Sequence, residues 1–267
     1  VPVRAAEICA KISIASNFKL IGEQNMSNTS DFRQAMREAK YQSLVGPNVI
    51  ANALPYLGGG LVLTAAGTYG GLRILSANPA LFMPTFWVAL ILELVLFFVA
   101  QRVAAQGNNS TALPLLATYS LLTGYTLTGL VFLALRTAGV GLPGVGFAAL
   151  GCGVTFIAAR QIGSNLSEED GMAVTRTVQL GIIALLVVLV GQLLLSLFGV
   201  YTPTWLEVAI SGVGVFLFVG AAVVDFFVLP RTYGNDQYLS AALSMYLTYI
   251  NLFIFILRLL IALNSRD

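Results

Sequence analysis

Seven stretches of this chain are apolar for long enough to cross a bilayer, and that leaves few folds open. A hydrocarbon core about 30 Å thick takes about 20 residues of helix. Runs of that length fall at 50–74, 84–105, 111–135, 142–160, 177–198, 204–229 and 238–263. Pro and Gly punctuate the joints, at Asn78-Pro79, Gly107, Gly139 to Gly144, Thr202-Pro203, and Pro230 with Gly234. The fourth run is the weakest, being short and Gly-rich. The expected fold is all-α: a polytopic seven-helix transmembrane bundle over residues 49–265, preceded by a polar leader, 1–48.

Composition agrees and removes several function classes. The 267 residues are 57% hydrophobic and only 10% charged, against about 25% charged in soluble domains. A net charge of +2 without a basic run gives nothing for nucleic acid to bind. Histidine is absent, which excludes a His-based triad, a His zinc site and a His pH switch, so any proton sensing has to use carboxylates. Cys9 and Cys152 lie in different environments and have no metal-ligand neighbours, so neither a disulfide nor a metal site is expected. No phosphate-binding loop or nucleophile elbow is present, and Gly58 to Gly60 falls inside an apolar run. No enzymatic activity and no cofactor are expected.

The leader has no apolar core long enough for a signal peptide. Met26 looks like a natural start, which makes 1–25 either an upstream extension or a true part of the leader. Residues 30–41 read either as an amphipathic helix on the membrane surface or as a solvated approach to the first span. Lys and Arg set the orientation. With the N terminus inside, inner segments hold ten of them, outer segments hold Arg73, Arg136 and Arg266, and Arg258 lies within the last helix. The bias supports a cytoplasmic N terminus and an outside C terminus. Compact loops and a high Gly, Ala and Val content suit a bacterial-type inner membrane. The bilayer is the one certain partner. In lipid, small residues such as Gly67 and Gly71 mark close helix packing.

The last two runs carry the features of most interest. Asp225 sits inside an apolar stretch, and Ser244, Thr248, Asn251 and Arg258 fall on one face of the final helix by their spacing. An ionisable side chain at membrane depth costs about 3 kcal/mol on insertion scales, which makes it a functional candidate by default. Arg102 lies at a level similar to Asp225, so an inner Asp225–Arg102 latch is expected, against the alternative that Arg102 snorkels to headgroups. Arg258 is expected in an outer pair with Glu207 or Glu93. Glu93 has the further alternative of staying neutral and hydrogen-bonded within the bundle. Glu168, Glu169 and Asp170 are expected in an inner loop, solvated or holding a cation at a pore mouth.

Tyr238 to Arg258, with Ala241-Ala242-Leu243, Ile250-Asn251-Leu252-Phe253 and Leu257-Arg258, resembles the last helix of the Bax inhibitor-1 family. Phe216 to Asp225, Thr118 to Gly129 and Gly153 to Ala159 are similar to its sixth, third and fourth helices. The resemblance covers roughly residues 45–263. It implies seven helices with six around a central one, and for some members a pH-sensitive calcium leak. In those, two aspartates of the sixth and seventh helices share a proton, and an arginine of the second helix pairs with one of them. Here Asp225 stands at the first acidic position, as a tentative calcium contact, and Thr248 at the second. Arg102 is the nearest candidate arginine, and a lone Asp225 facing it is expected to stay ionised. The resemblance implies a cation (calcium) leak channel with an altered pH sensor. The alternative is a non-conducting interaction protein, since some bacterial members resemble modulators of a membrane-bound AAA protease. A proton-coupled transporter is weaker, because no inverted repeat is visible.

Overall fold

The computed structural model describes residues 44–199 and 202–265. Within them are seven helices, each long and apolar enough to cross a membrane. They are α1 (Val49–Ala77), α2 (Pro79–Ala105), α3 (Asn109–Arg136), α4 (Gly141–Gly163), α5 (Glu168–Leu197), α6 (Thr204–Thr232) and α7 (Tyr238–Asn264). No strand occurs among the described residues. The amphipathic reading of 30–41 and the start at Met26 lie outside them.

Most boundaries fall within a few residues of the hydropathy runs; α2 begins at Pro79, five residues before its run, and two other joints have identifiable features. The acidic triplet Glu168–Asp170 is the first turn of α5 rather than a loop. Ser167 caps it, its hydroxyl accepting the Asp170 N–H at 3.1 Å, and three carboxylates at a helix N-terminus complement the exposed amide dipoles. At the other joint, α6 continues through Pro230 to Thr232. The Pro230 carbonyl accepts the Gly46 amide at 3.0 Å, so the chain entering α1 is tied to the end of α6.

α7 occupies the centre. It packs against α1, α2, α3, α4 and α6, and Ala241, Ala242, Met245, Tyr246, Leu252 and Leu257 along it are fully buried. α5 is outermost, lying along α6 and reaching α7 where Leu185, Ile210 and Phe255 cluster. Two apolar clusters stack along α7. The one nearer the entry end joins Ala100, Ala104, Ala222, Leu239 and Leu243. The far one joins Val131, Ala148, Cys152, Leu252 and Leu257.

Helix association in lipid depends on close backbones and polar contacts, and α1 and α3 supply both. A Cβ on Gly67 would run into the Leu121 carbonyl, and one on Gly124 into the Thr64 carbonyl. That closeness lets Thr68 donate to the Gly124 carbonyl at 2.8 Å and Thr64 to the Ser120 carbonyl at 3.2 Å. At the entry end, the α6–α7 turn is fastened on both sides. Asn48 N–H donates to Asn235 Oδ1 at 2.9 Å, Asn109 Nδ2 to the Asp236 carbonyl at 2.7 Å, and Gln237 Nε2 to the Ala105 carbonyl at 2.7 Å. The start of α7 is thereby held against α1 and the α2–α3 turn.

A polar face along the last helix

α7 is not buried all round. Ser244, Leu247, Asn251, Ile254 and Arg258 are half-buried, with fully buried neighbours at Met245, Leu252 and Leu257. Their spacing of three, four, three and four makes one stripe. α2 flanks it on one side and α6 on the other, as the partners of its side chains show. Three polar levels follow one another along it, each roughly 10 Å from the next at the helical rise.

The first level is Asp225 of α6 with Ser244. The Ser244 hydroxyl donates to Asp225 Oδ1 at 3.0 Å, and the Thr248 hydroxyl, one turn on, lies beside the same carboxyl. Asp225 is buried, and its Oδ2 has no hydrogen-bond partner among the described residues. The expected latch to Arg102 is not formed. Among the described residues the ion pair is Arg258–Glu207, and Arg102 is exposed on the surface of α2. The reason is rotational. Ala100 and Ala104 are both buried against the core, and position 102 is about 200° around the helix from each of them. Without that cation, the expectation of an Asp225 held ionised by Arg102 loses its basis. Tyr233, just past the end of α6, senses the carboxyl. Its phenol is pushed above its ordinary range first by burial and then by the Asp225 charge.

The second level is Glu93, near the middle of α2. Thr123 of α3 donates to its Oε1 at 2.6 Å and Thr126 to its Oε2 at 2.8 Å. Glu93 is thus hydrogen-bonded within the bundle, as its alternative reading required, and the expected contact with Arg258 is not made. The carboxylate lines a recess of about 450 Å³ together with Phe97, Thr123, Leu247, Asn251 and Ile254. Asn251 spends its Nδ2 on the Leu247 carbonyl at 2.8 Å, leaving Oδ1 as the acceptor on this level. The threonine cradle escaped sequence reading. Its signal was the run of hydroxyls Thr118, Ser120, Thr123, Thr126 and Thr128 in an otherwise apolar helix.

The third level is the pair Arg258–Glu207, with Nη2 to Oε2 at 2.9 Å. Gln192 of α5 donates to Glu207 Oε1 at 3.3 Å. The Glu207 partner for Arg258 is therefore the one realised of the two expected.

For a resident metal the site is sparse. No group of three or more His, Cys, Asp or Glu gathers among the described residues, whereas a calcium site takes six to eight oxygens. Asp225 with two neighbouring hydroxyls supplies too few oxygens for such a cage.

Comparison with known proteins agrees with this architecture. Residues 46–266 match the family model described as "Inhibitor of apoptosis-promoting Bax1". An uncharacterised membrane protein of Streptococcus pyogenes serotype M1 is 31% identical over 182 residues, 65% of this chain and 73% of the relative. A serotype M3 counterpart, likewise an uncharacterised membrane protein, is 30% identical over the same share.

Proposed function

The chain belongs to the Bax inhibitor-1 family, and from that premise we propose that it is a passive cation conduit, a calcium leak whose acid control rests on Asp225 without a second aspartate. The observation that carries this reading is the polar face of α7, with Asp225, Glu93 and the Arg258–Glu207 pair at successive depths. Placing carboxyl groups at membrane depth is costly, and among the described residues no cation is paired with Asp225 to offset it. Such a group gains its keep by meeting a cation or a proton in transit. Apolar packing around Ala100, Leu239 and Leu243 closes the entry end, so conduction requires those side chains to part from the Asp225 level. The reading places the protein in a bacterial inner membrane with the leader inside.

Calcium flux into liposomes holding the purified protein tests it, at acid and neutral pH. Wild type should leak calcium, and Asp225→Asn should lower that flux several-fold. Thr248→Asp puts a second carboxyl beside the first. Two close carboxylates cannot both ionise cheaply, so they hold a proton between them, and the flux should depend on pH more steeply than in wild type. Absence of flux in every variant would overturn the reading in favour of a non-conducting interaction protein. Such a protein, for example a modulator of a membrane protease, should lose its partner when residues 26–48 are deleted.

A further inference from the structure

The Glu93 cradle is built to hold either a proton or a cation. Thr126 has one hydroxyl proton and two acceptors within reach, Glu93 Oε2 at 2.8 Å and the Thr123 carbonyl at 2.9 Å. With Glu93 ionised, both threonine hydroxyls donate to the carboxylate. With Glu93 neutral, its own Oε2–H donates to Thr126, and the Thr126 proton turns to the Thr123 carbonyl. Each protonation state is satisfied without moving a heavy atom. Few buried polar groups have that freedom, since losing one partner normally strands the other.

The recess beside the carboxylate is lined by oxygen-bearing side chains, Glu93, Thr123, Thr126 and the Tyr119 phenol, with Asn251 across it, whose Nδ2 is held by the Leu247 carbonyl. Oxygen donors select hard cations over transition metals. Charge then decides between monovalent and divalent ions. Tyr119 of α3 and Tyr246 of α7 are the titratable groups facing Glu93. Among the described residues no cation is paired with it, from its own helix or from α1, α3 or α7, and Arg258, two turns along, is occupied by Glu207. One carboxylate therefore neutralises one positive charge. A sodium ion leaves the mid-membrane site neutral, whereas a calcium ion leaves a net charge of +1 at the depth where it is most costly.

We infer that Glu93, Thr123, Thr126 and Asn251 form a mid-membrane site for a hard monovalent cation, sodium in type, which competes with a proton for the Glu93 carboxylate. The inference goes beyond the calcium reading by placing a second, monovalent cation at the Glu93 level, and it rests on the conduit reading only for its role in transport. Occupancy of the site is independent of transport.

Labelling with dicyclohexylcarbodiimide separates the two. The reagent enters apolar sites and reacts with a neutral carboxyl: the acid proton passes to a carbodiimide nitrogen as the carboxyl oxygen bonds the central carbon. The adduct then rearranges to a stable N-acylurea that mass spectrometry locates. With the full chain in detergent, Glu93 should be labelled at acid pH. Sodium chloride should slow labelling several-fold, while choline chloride at the same ionic strength should not. Thr126→Val should weaken the sodium protection without abolishing labelling, and Glu93→Gln should remove the adduct. Equal rates in sodium and choline would overturn the site, and protection by calcium but not sodium would overturn the monovalent assignment. Sodium protection without ion flux in liposomes upholds the site and fails the conduit. Flux without protection does the reverse.

Discussion

The Ser244 hydroxyl donates to Asp225 Oδ1 at 3.0 Å across the α6–α7 interface, while Oδ2 of the same carboxyl has no hydrogen-bond partner among the described residues. Ser244 thus donates to a buried acid, with the Thr248 hydroxyl beside the same carboxyl. Removing one partner of a buried polar pair costs about 1–3 kcal/mol, whereas replacing both with apolar groups is close to neutral. Ser244→Ala alone should therefore lower the thermal unfolding midpoint in detergent. Ser244→Ala combined with Asp225→Leu should recover most of that loss. If the double variant falls by the sum of the two single effects, the hydrogen bond does not couple them.

At the far level, Arg258 and Glu207 are paired at 2.9 Å with side chains 25% and 31% exposed. That exposure places the pair between a surface bridge, worth about 0–1 kcal/mol, and a buried one, whose breaking costs about 3–5 kcal/mol. A double-mutant cycle of Glu207→Gln and Arg258→Gln should give a coupling of about 1–2 kcal/mol. Calcium flux, if it passes this level, should rise in Arg258→Gln, because an arginine in the path repels cations. A coupling near zero would show that the two side chains simply extend separately to the nearest headgroups.

The seven helices were legible because each apolar run matches the thickness of a bilayer, a property of local sequence. So was the stripe through Ser244, Asn251 and Arg258, since periodicity within one helix needs no neighbour, although Thr248 lies buried at its edge. Which residues meet across helices was less accessible. α2 is apolar nearly all round, so nothing in its sequence said that Ala100 and Ala104 face the core and Arg102 faces away. Depth alone put Arg102 level with Asp225, and depth does not fix rotation. Arg258 with Glu207 was found because both lie near the same end of adjacent helices. The start of α5 at Glu168 was hidden by three acids that mean a loop to hydropathy and a first turn to a Ser167 cap.

The glycines of α1 and α3 give a test of packing that needs no assumption about function. Gly67 meets the Leu121 carbonyl and Gly124 the Thr64 carbonyl, backbone against side-chain position, so neither neighbour can swing aside. Gly59, two turns before Gly67 on the same helix, has nothing within 4 Å of its Cβ direction. Forcing extra volume into a packed interface costs about 1–3 kcal/mol, and here it also strips the Thr68 and Thr64 hydroxyls of their α3 carbonyls. Gly67→Leu and Gly124→Leu should each lower the unfolding midpoint in detergent clearly. Gly59→Leu should leave it unchanged or raise it slightly, because leucine is the better helix former. The paired design removes intrinsic propensity from the comparison, since all three substitutions make the same chemical change within a helix. Equal midpoints for the three variants would mean that α1 and α3 are not held at glycine distance.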